Sequence, residues 1–220
     1  MRTLRSLALA ASVVALPSLA MAQQGRPFKD AWFWGVKSGG LTVADSAGNY
    51  FQAPMLAVDW MITRTHGGLY ISAGEAFFNT ETLTLRDPNF PADSGVRAIR
   101  LNNMRKLDVA VMGFPGDHDR WHPYVGAGFT LNAIADAEGI GTFGSVDQFA
   151  FTQAMIQQDK VSFSPYGIVG AQYRFTKISL FGQITANPTQ HNFLLYNGQP
   201  FNVGWEFGVR YNAGTSIDRN

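Results

Sequence analysis

The stretch FNVGWEFGVRY, residues 201–211, restricts the folds open to this chain more than any other segment. Phe201, Val203, Trp205, Phe207, Val209 and Tyr211 are bulky and apolar; Asn202, Gly204, Glu206, Gly208 and Arg210 between them are polar or lack a side chain. Alternation of this length specifies a β-strand with one apolar and one polar face. Two opposite designs use such a strand. A water-soluble barrel turns the apolar face inward, and a membrane barrel turns it to lipid.

The beginning of the chain bears on that choice. MRTLRSLALAASVVALPSLAMAQQ has a basic start (Arg2, Arg5), an apolar run from Leu7 to Leu19 and an Ala20-Met21-Ala22 cleavage site. Residues 1–22 therefore read as a secretory signal peptide and residues 23–220 as one barrel domain. With Arg2 and Arg5 gone, the 17 basic and 16 acidic residues of the whole chain become a nearly neutral balance, which argues against nucleic acid as a partner. There are no cysteines, so an exported chain of this size is held by its core and backbone pairing. Past the leader, no apolar run is long enough for a membrane helix; a membrane-spanning form has to be a closed barrel.

The alternating pattern recurs in eight strand candidates: Ala31–Ala44, Ala53–Thr63, Leu69–Asn79, Ile99–Phe114, Pro123–Ala133, Val161–Phe175, Ile178–Ala186 and Phe201–Tyr211. Each is near the length a tilted strand needs to cross a bilayer. In the third, Glu75 shares a row with Leu69, Ile71 and Ala73, so its outward side is unassigned without a bulge. Connections after odd-numbered strands are mostly long and those after even-numbered strands short, the asymmetry of outer-membrane barrels. Within the third long connection, Val146 to Gln158 has the spacing of a short helix, with a loop packing on its own side chains preferred over a partner-binding helix.

The polar rows carry Lys37, Asp59, Lys106, Asp108, Arg174, Glu206 and Arg210, expected to form a charge network in the lumen. Lys37 and Glu206 are expected to pair across the seam between first and last strands. The apolar rows carry Trp32, Trp34, Trp60, Tyr173, Trp205, Phe207 and Tyr211, many near strand ends, where membrane proteins place aromatic belts. Glycines 126, 128, 204 and 208 lie on the polar side, so the bulk sits on the apolar side. Both features favour lipid outside. An eight-stranded barrel is only wide enough for its side chains, so the lumen is expected to be a packed polar core and not a channel.

PYVGAGFTLN, PYGIVGAQYRF, ISLFGQI and GWEFGVRY together resemble the small outer-membrane β-barrel family of OmpA-, OmpX- and OmpW-like proteins. The resemblance implies an eight-stranded antiparallel up-and-down transmembrane barrel in the cell outer membrane. It further implies outer-membrane lipid, lipopolysaccharide and the barrel-assembly machinery as partners, a monomer, and no cofactor. One departure is that NAGTSIDRN follows Tyr211, where these barrels often end on an aromatic.

The candidate chemistry is sparse. Asp117, His118, Asp119 and His122 in GDHDRWHPY are metal-binding types, but nothing fixes their geometry, and a solvated turn is the expectation. His191 has no serine near it in sequence to serve as an activated nucleophile, so no catalytic residue is assigned. Arg97, Arg100 and Arg105 are either phosphate contacts or ordinary rim charges, with rim charges preferred. The expected role is a structural, surface-exposed and non-enzymatic one. The alternatives are a soluble lipocalin-like barrel with an apolar ligand, a narrow pore for small hydrophobic compounds, and a lipid A-modifying enzyme.

Overall fold

A computed structural model describes residues 28–44, 50–86, 96–116, 119–143, 145–195 and 200–216; the leader lies outside them. Eight strands form in chain order: β1 (Ala31–Ala44), β2 (Tyr50–Thr63), β3 (Gly67–Arg86), β4 (Val96–Gly113), β5 (Trp121–Ile140), β6 (Val161–Arg174), β7 (Ile178–Pro188) and β8 (Phe201–Thr215). One helix, α1 (Val146–Asp159), stands between β5 and β6. Every neighbouring pair is antiparallel, and β1 pairs with β8, so the sheet is a closed up-and-down barrel. Closure leaves no strand edge along the shared wall.

The expected strands are present but run further at the end bearing the long connections. β3 and β5 each reach 20 residues and β4 reaches 18, so the expected loops after β3 and β5 begin as strand. β8 likewise continues through NAGT to Thr215, which makes Tyr211 an internal residue of that strand and not its end. α1 is the expected helix. Its N-cap, Ser145, accepts a hydrogen bond from the Gln148 backbone NH.

Alternation sets the wall. In β7 and β8 exposed and buried residues interchange along nearly the whole strand. Val36, Val58, Val111, Phe129, Val169, Ile184 and Phe207 are among the large apolar side chains left exposed on the outer face. Glu75 needs no bulge to explain it. It stays on the outward row with Leu69, Ile71 and Ala73, level with Leu56 on β2 and Arg105 on β4.

The register shifts just above Glu75, where Phe77 and Phe78 of β3 stand against Asn103 of β4. Asn103 has φ of 52°, a left-handed conformation that asparagine tolerates better than most residues, and its Oδ1 accepts a hydrogen bond from the Phe78 NH at 3.2 Å. Below it, the even residues Met104, Lys106, Asp108, Ala110 and Met112 point inward. Above it, the odd residues Leu101 and Ile99 do.

The interior has three tiers. Phe28, Phe33, Met61, Met112 and Ile168 form an apolar tier at the end bearing the short turns. Charged and polar side chains occupy the middle. At the opposite end Leu41, Met55, Phe78, Leu101, Met104 and Ile134 form a second apolar tier, covered by Ile156 of α1 and by Phe193, Leu194 and Leu195. The buried ion pairs are confined to the middle, while uncharged polar side chains also face inward towards both ends, Thr63, Ser179 and Asn212 below and Asn132, Asn187 and Asn202 above, so the expected packed polar lumen carries two apolar tiers in addition.

Candidate functional site

The middle tier gathers side chains from strands on opposite sides of the barrel. β8 contributes Arg210, a fully buried guanidinium. Its Nε and Nη2 donate to Asp59 Oδ2 at 3.1 and 2.8 Å, and its Nη1 donates to Gln172 Oε1 at 3.0 Å. The Phe181 ring lies 3.7 Å from the guanidinium carbon. On β1, Gly35 is opposite both Asp59 and Arg210 in register. A Cβ on Gly35 would meet Arg210 Cγ at 2.8 Å, so the missing side chain provides the space this pair fills.

The second pair closes the seam as the sequence predicts. Lys37 Nζ lies 2.5 Å from Glu206 Oε2, with both side chains wholly buried. Lys37 also donates to the Tyr70 hydroxyl at 2.8 Å. Gln183 joins the two pairs: its Nε2 donates to Tyr70 at 3.1 Å and to Glu206 Oε2, and its Oε1 accepts from Tyr124 at 2.8 Å and from Arg210 Nη2 at 3.4 Å. Lys106 and Asp108, on one strand, pair at 2.9 Å with the Lys106 ammonium 4.5 Å from the Tyr166 ring centre.

Six of the seven expected lumen charges thus form three opposite-sign pairs. Arg174 does not join them. It is the last residue of β6, where the chain turns, and its guanidinium donates to the Asp119 carbonyl at 3.0 Å. The uncharged partners Tyr70, Tyr124, Tyr166, Gln172 and Gln183 were not legible as site residues, and for Tyr70 even the inward row was open, since the outward side of the third strand was unassigned. A buried ammonium depends on each of its acceptors, so Tyr70→Phe should lower unfolding stability by about 1.5–3 kcal/mol. The urea midpoint of the refolded protein measures this; an unchanged midpoint would remove Tyr70 from the network.

The expected outer aromatics all lie on the outer wall. Trp32 and Trp34 flank Trp60 with ring centres 5.6 and 5.9 Å away, which leaves Trp60 half-buried between them. Tyr173 is half-buried between Trp121 and Phe175 at 5.1 and 5.0 Å. Tyr211 is exposed, as are Trp205 and Phe207, which stack at 5.8 Å.

Asp117, His118 and the Arg97 side chain lie outside the described residues. His122 is turned inward, its ring stacked on Phe28 at 3.9 Å, while Asp119 is exposed on the turn. Among the described residues no three His, Cys, Asp or Glu side chains are grouped to hold a metal ion. At the other end, the α1 cap is tied down by the Leu194 NH, which donates to the Asp159 carbonyl at 3.2 Å, and by the Ile134 NH, which donates to the Lys160 carbonyl at 2.9 Å. Burial raises the Asp159 carboxyl above its usual range.

No family model matches the chain, and no curated protein matches it. Among solved structures, it is similar to Neisserial surface protein A, with 12% identity over 82% of this chain and 96% of that one and a TM-score of 0.49. It is also similar to Ail, the attachment invasion locus protein of Yersinia pestis, with 10% identity over 84% and 99% of the two chains and a TM-score of 0.46. A third is the outer membrane protease OmpT from Escherichia coli, with 11% identity over 84% and 97% and a TM-score of 0.42.

Proposed function

We propose that this chain is an integral outer-membrane β-barrel with a structural, surface-exposed role, neither catalytic nor conducting. One observation carries the reading: the polarity of the wall inverts along single strands. On the lower part of β4, Val111, Val109 and Leu107 face out while Asp108 and Lys106 face in. Above Asn103, Arg100 faces out while Leu101 and Ile99 are buried. Arg100 there bridges Glu81 of β3 and Glu138 of β5 at 3.3 and 3.1 Å. The upper section follows the rule for a wall in water, and the lower section follows the rule for a wall in lipid. A barrel in one solvent has no physical reason to change rule midway.

The remaining features fit this reading. No helix among the described residues is long and apolar enough to cross a membrane, which leaves crossing to the strands. A lipocalin-like ligand carrier would place its apolar surface around a lumen cavity, whereas here the middle of the lumen is filled by paired charges. The apolar tier beneath α1 and Phe193–Leu195 obstructs the axis, which supports a non-conducting barrel over a pore. Membership in the OmpA-, OmpX- and OmpW-like group, the processing of residues 1–22, and lipopolysaccharide and the assembly machinery as partners belong to the same proposal, on the strength of the sequence resemblance.

Cell fractionation tests it. The protein should pellet with outer membranes, need detergent for extraction, and migrate differently on gels before and after boiling. Recovery in the soluble periplasmic fraction would favour the lipocalin-like alternative.

A further inference from the structure

The end of the barrel bearing the short turns holds a cavity of about 300 Å³. Its floor is aromatic. Phe28 stacks on His122 at 3.9 Å and meets Phe114 edge-on at 4.9 Å, and all three rings line the cavity. The floor is held from the backbone as well. Asp30 takes a left-handed φ of 56° where the chain enters β1, and the Thr63 hydroxyl donates to the Phe28 carbonyl.

The rim is basic, with Lys29, Arg64 and His66 in the lining. Arg64 follows β2 directly, and its NH donates to the Gly67 carbonyl at 2.6 Å, which closes the turn to β3. Its guanidinium is half-exposed and engaged on one nitrogen only. Nη1 donates to Ser216 Oγ at 3.1 Å and lies 3.8 Å from Asp30 Oδ1, whereas Nε and Nη2 have no partner among the described residues. Those two nitrogens are the edge with which Arg210 holds Asp59, the edge that offers a carboxylate two parallel N–H donors. His66 is exposed and has no hydrogen-bonding or ionic partner among the described residues either.

We propose that this cavity binds a small organic acid, its carboxylate on the Nε and Nη2 edge of Arg64 and its apolar body against Phe28 and Phe114. Charge and size select that ligand. Among the described residues, Lys29 and Arg64 against Asp30 leave one surplus positive charge, which a monoanion balances and a phosphate dianion exceeds. The volume lies at the lower end of small-molecule pockets, so it suits an acid of about amino-acid size and not a lipid. A bare inorganic anion would leave the aromatic floor without a contact. The closed turn at Arg64 and the tether on Phe28 hold the site in shape before a ligand arrives, which lowers the ordering cost of binding. On the outer-membrane reading this mouth faces the periplasm; the site itself does not depend on that placement.

Titration of the full chain in detergent with benzoate, benzyl alcohol or inorganic phosphate tests the site, followed by NMR at the backbone amides of Thr65, His66 and Gly116. Benzoate should saturate these shifts, with benzyl alcohol and phosphate each binding about tenfold more weakly. Arg64→Lys keeps the charge but removes the two-donor edge, and should weaken benzoate by about tenfold. Phe114→Ala should weaken it by about fivefold through the lost floor. Arg120→Gln, at an exposed arginine of the neighbouring turn outside the cavity, should leave it unchanged. No response to benzoate, equal affinity for phosphate, equal affinity for benzyl alcohol, or indifference to both Arg64→Lys and Phe114→Ala would each overturn the proposal. An Arg120→Gln effect as large as that of Arg64→Lys would reduce the response to general surface charge and overturn it too. Each variant is checked for the boiling-dependent gel shift; where one loses it, the selectivity of the parent protein among the three probes decides alone.

Discussion

Asp59→Ala should destabilise the barrel by about 3–5 kcal/mol, because it leaves a guanidinium in the interior with no counter-charge. Arg210 cannot escape to solvent, since its side chain is wholly buried, and it cannot shed its proton at any accessible pH. Gln172 and Gln183 remain as neutral acceptors, but they offset only part of the lost attraction. The double variant Asp59→Ala/Arg210→Met removes both charges and should recover most of the loss, since a buried pair is worth little more than an apolar replacement of similar volume. Urea unfolding of the refolded barrel, read by gel mobility without boiling, provides both numbers. If the double variant is as unstable as Asp59→Ala, packing around Arg210 and not its charge governs the middle tier.

Val209→Arg is expected to lower folding stability by roughly 2–4 kcal/mol in bilayers, the cost of an arginine near the midplane on a lipid face. Val209 lies between Val36 of β1 and Leu180 of β7, all three exposed on the outer wall, so an added guanidinium finds no partner at that height. The same change on a wall in water should cost almost nothing, which makes this variant a direct test of what surrounds the barrel. Reversible unfolding from lipid vesicles is the measurement, and a stability within error of the parent would contradict a lipid-facing wall. For the neighbouring Gly208→Arg, residue order alone suggests that the new charge can pair in the lumen. The structure closes that route. Even a Cβ at Gly208 would lie 2.8 Å from the Phe181 ring and 2.9 Å from Lys37 Cα, so the variant should fail through crowding, whatever charge it carries.

Much of this architecture can be read from residue order because a strand's period of two is coarse and robust. Phe201 to Tyr211 could be assigned to outward and inward rows without knowledge of any partner strand. The seam pair Lys37–Glu206 followed, since closure brings the first and last strands together and leaves two opposite charges at similar heights. What escaped was everything that depends on position along the axis. Leu101 and Ile99 look like ordinary apolar strand residues, and only the left-handed backbone at Asn103 turns them inward. Arg174 has the right parity for the lumen but stands at the turn, where a long side chain reaches a backbone carbonyl more easily than the barrel axis. The Gln183 bridge was illegible for another reason. Its partners come from β3, β5 and β8, and no local pattern encodes which side chains meet across a lumen.

Two of the three buried ion pairs draw one partner from the first two strands and the other from the final strand. Lys37 and Asp59 lack their mates until β8, which carries Glu206 and Arg210, docks against β1 and closes the barrel. A partly assembled sheet therefore has an electrostatic reason to stay open to water. Docking of β8 acts as a latch that neutralises the interior in one step. A barrel without β8 would hold Lys37 and Asp59 unpaired in its interior, a cost that disfavours sealing before that strand is in place.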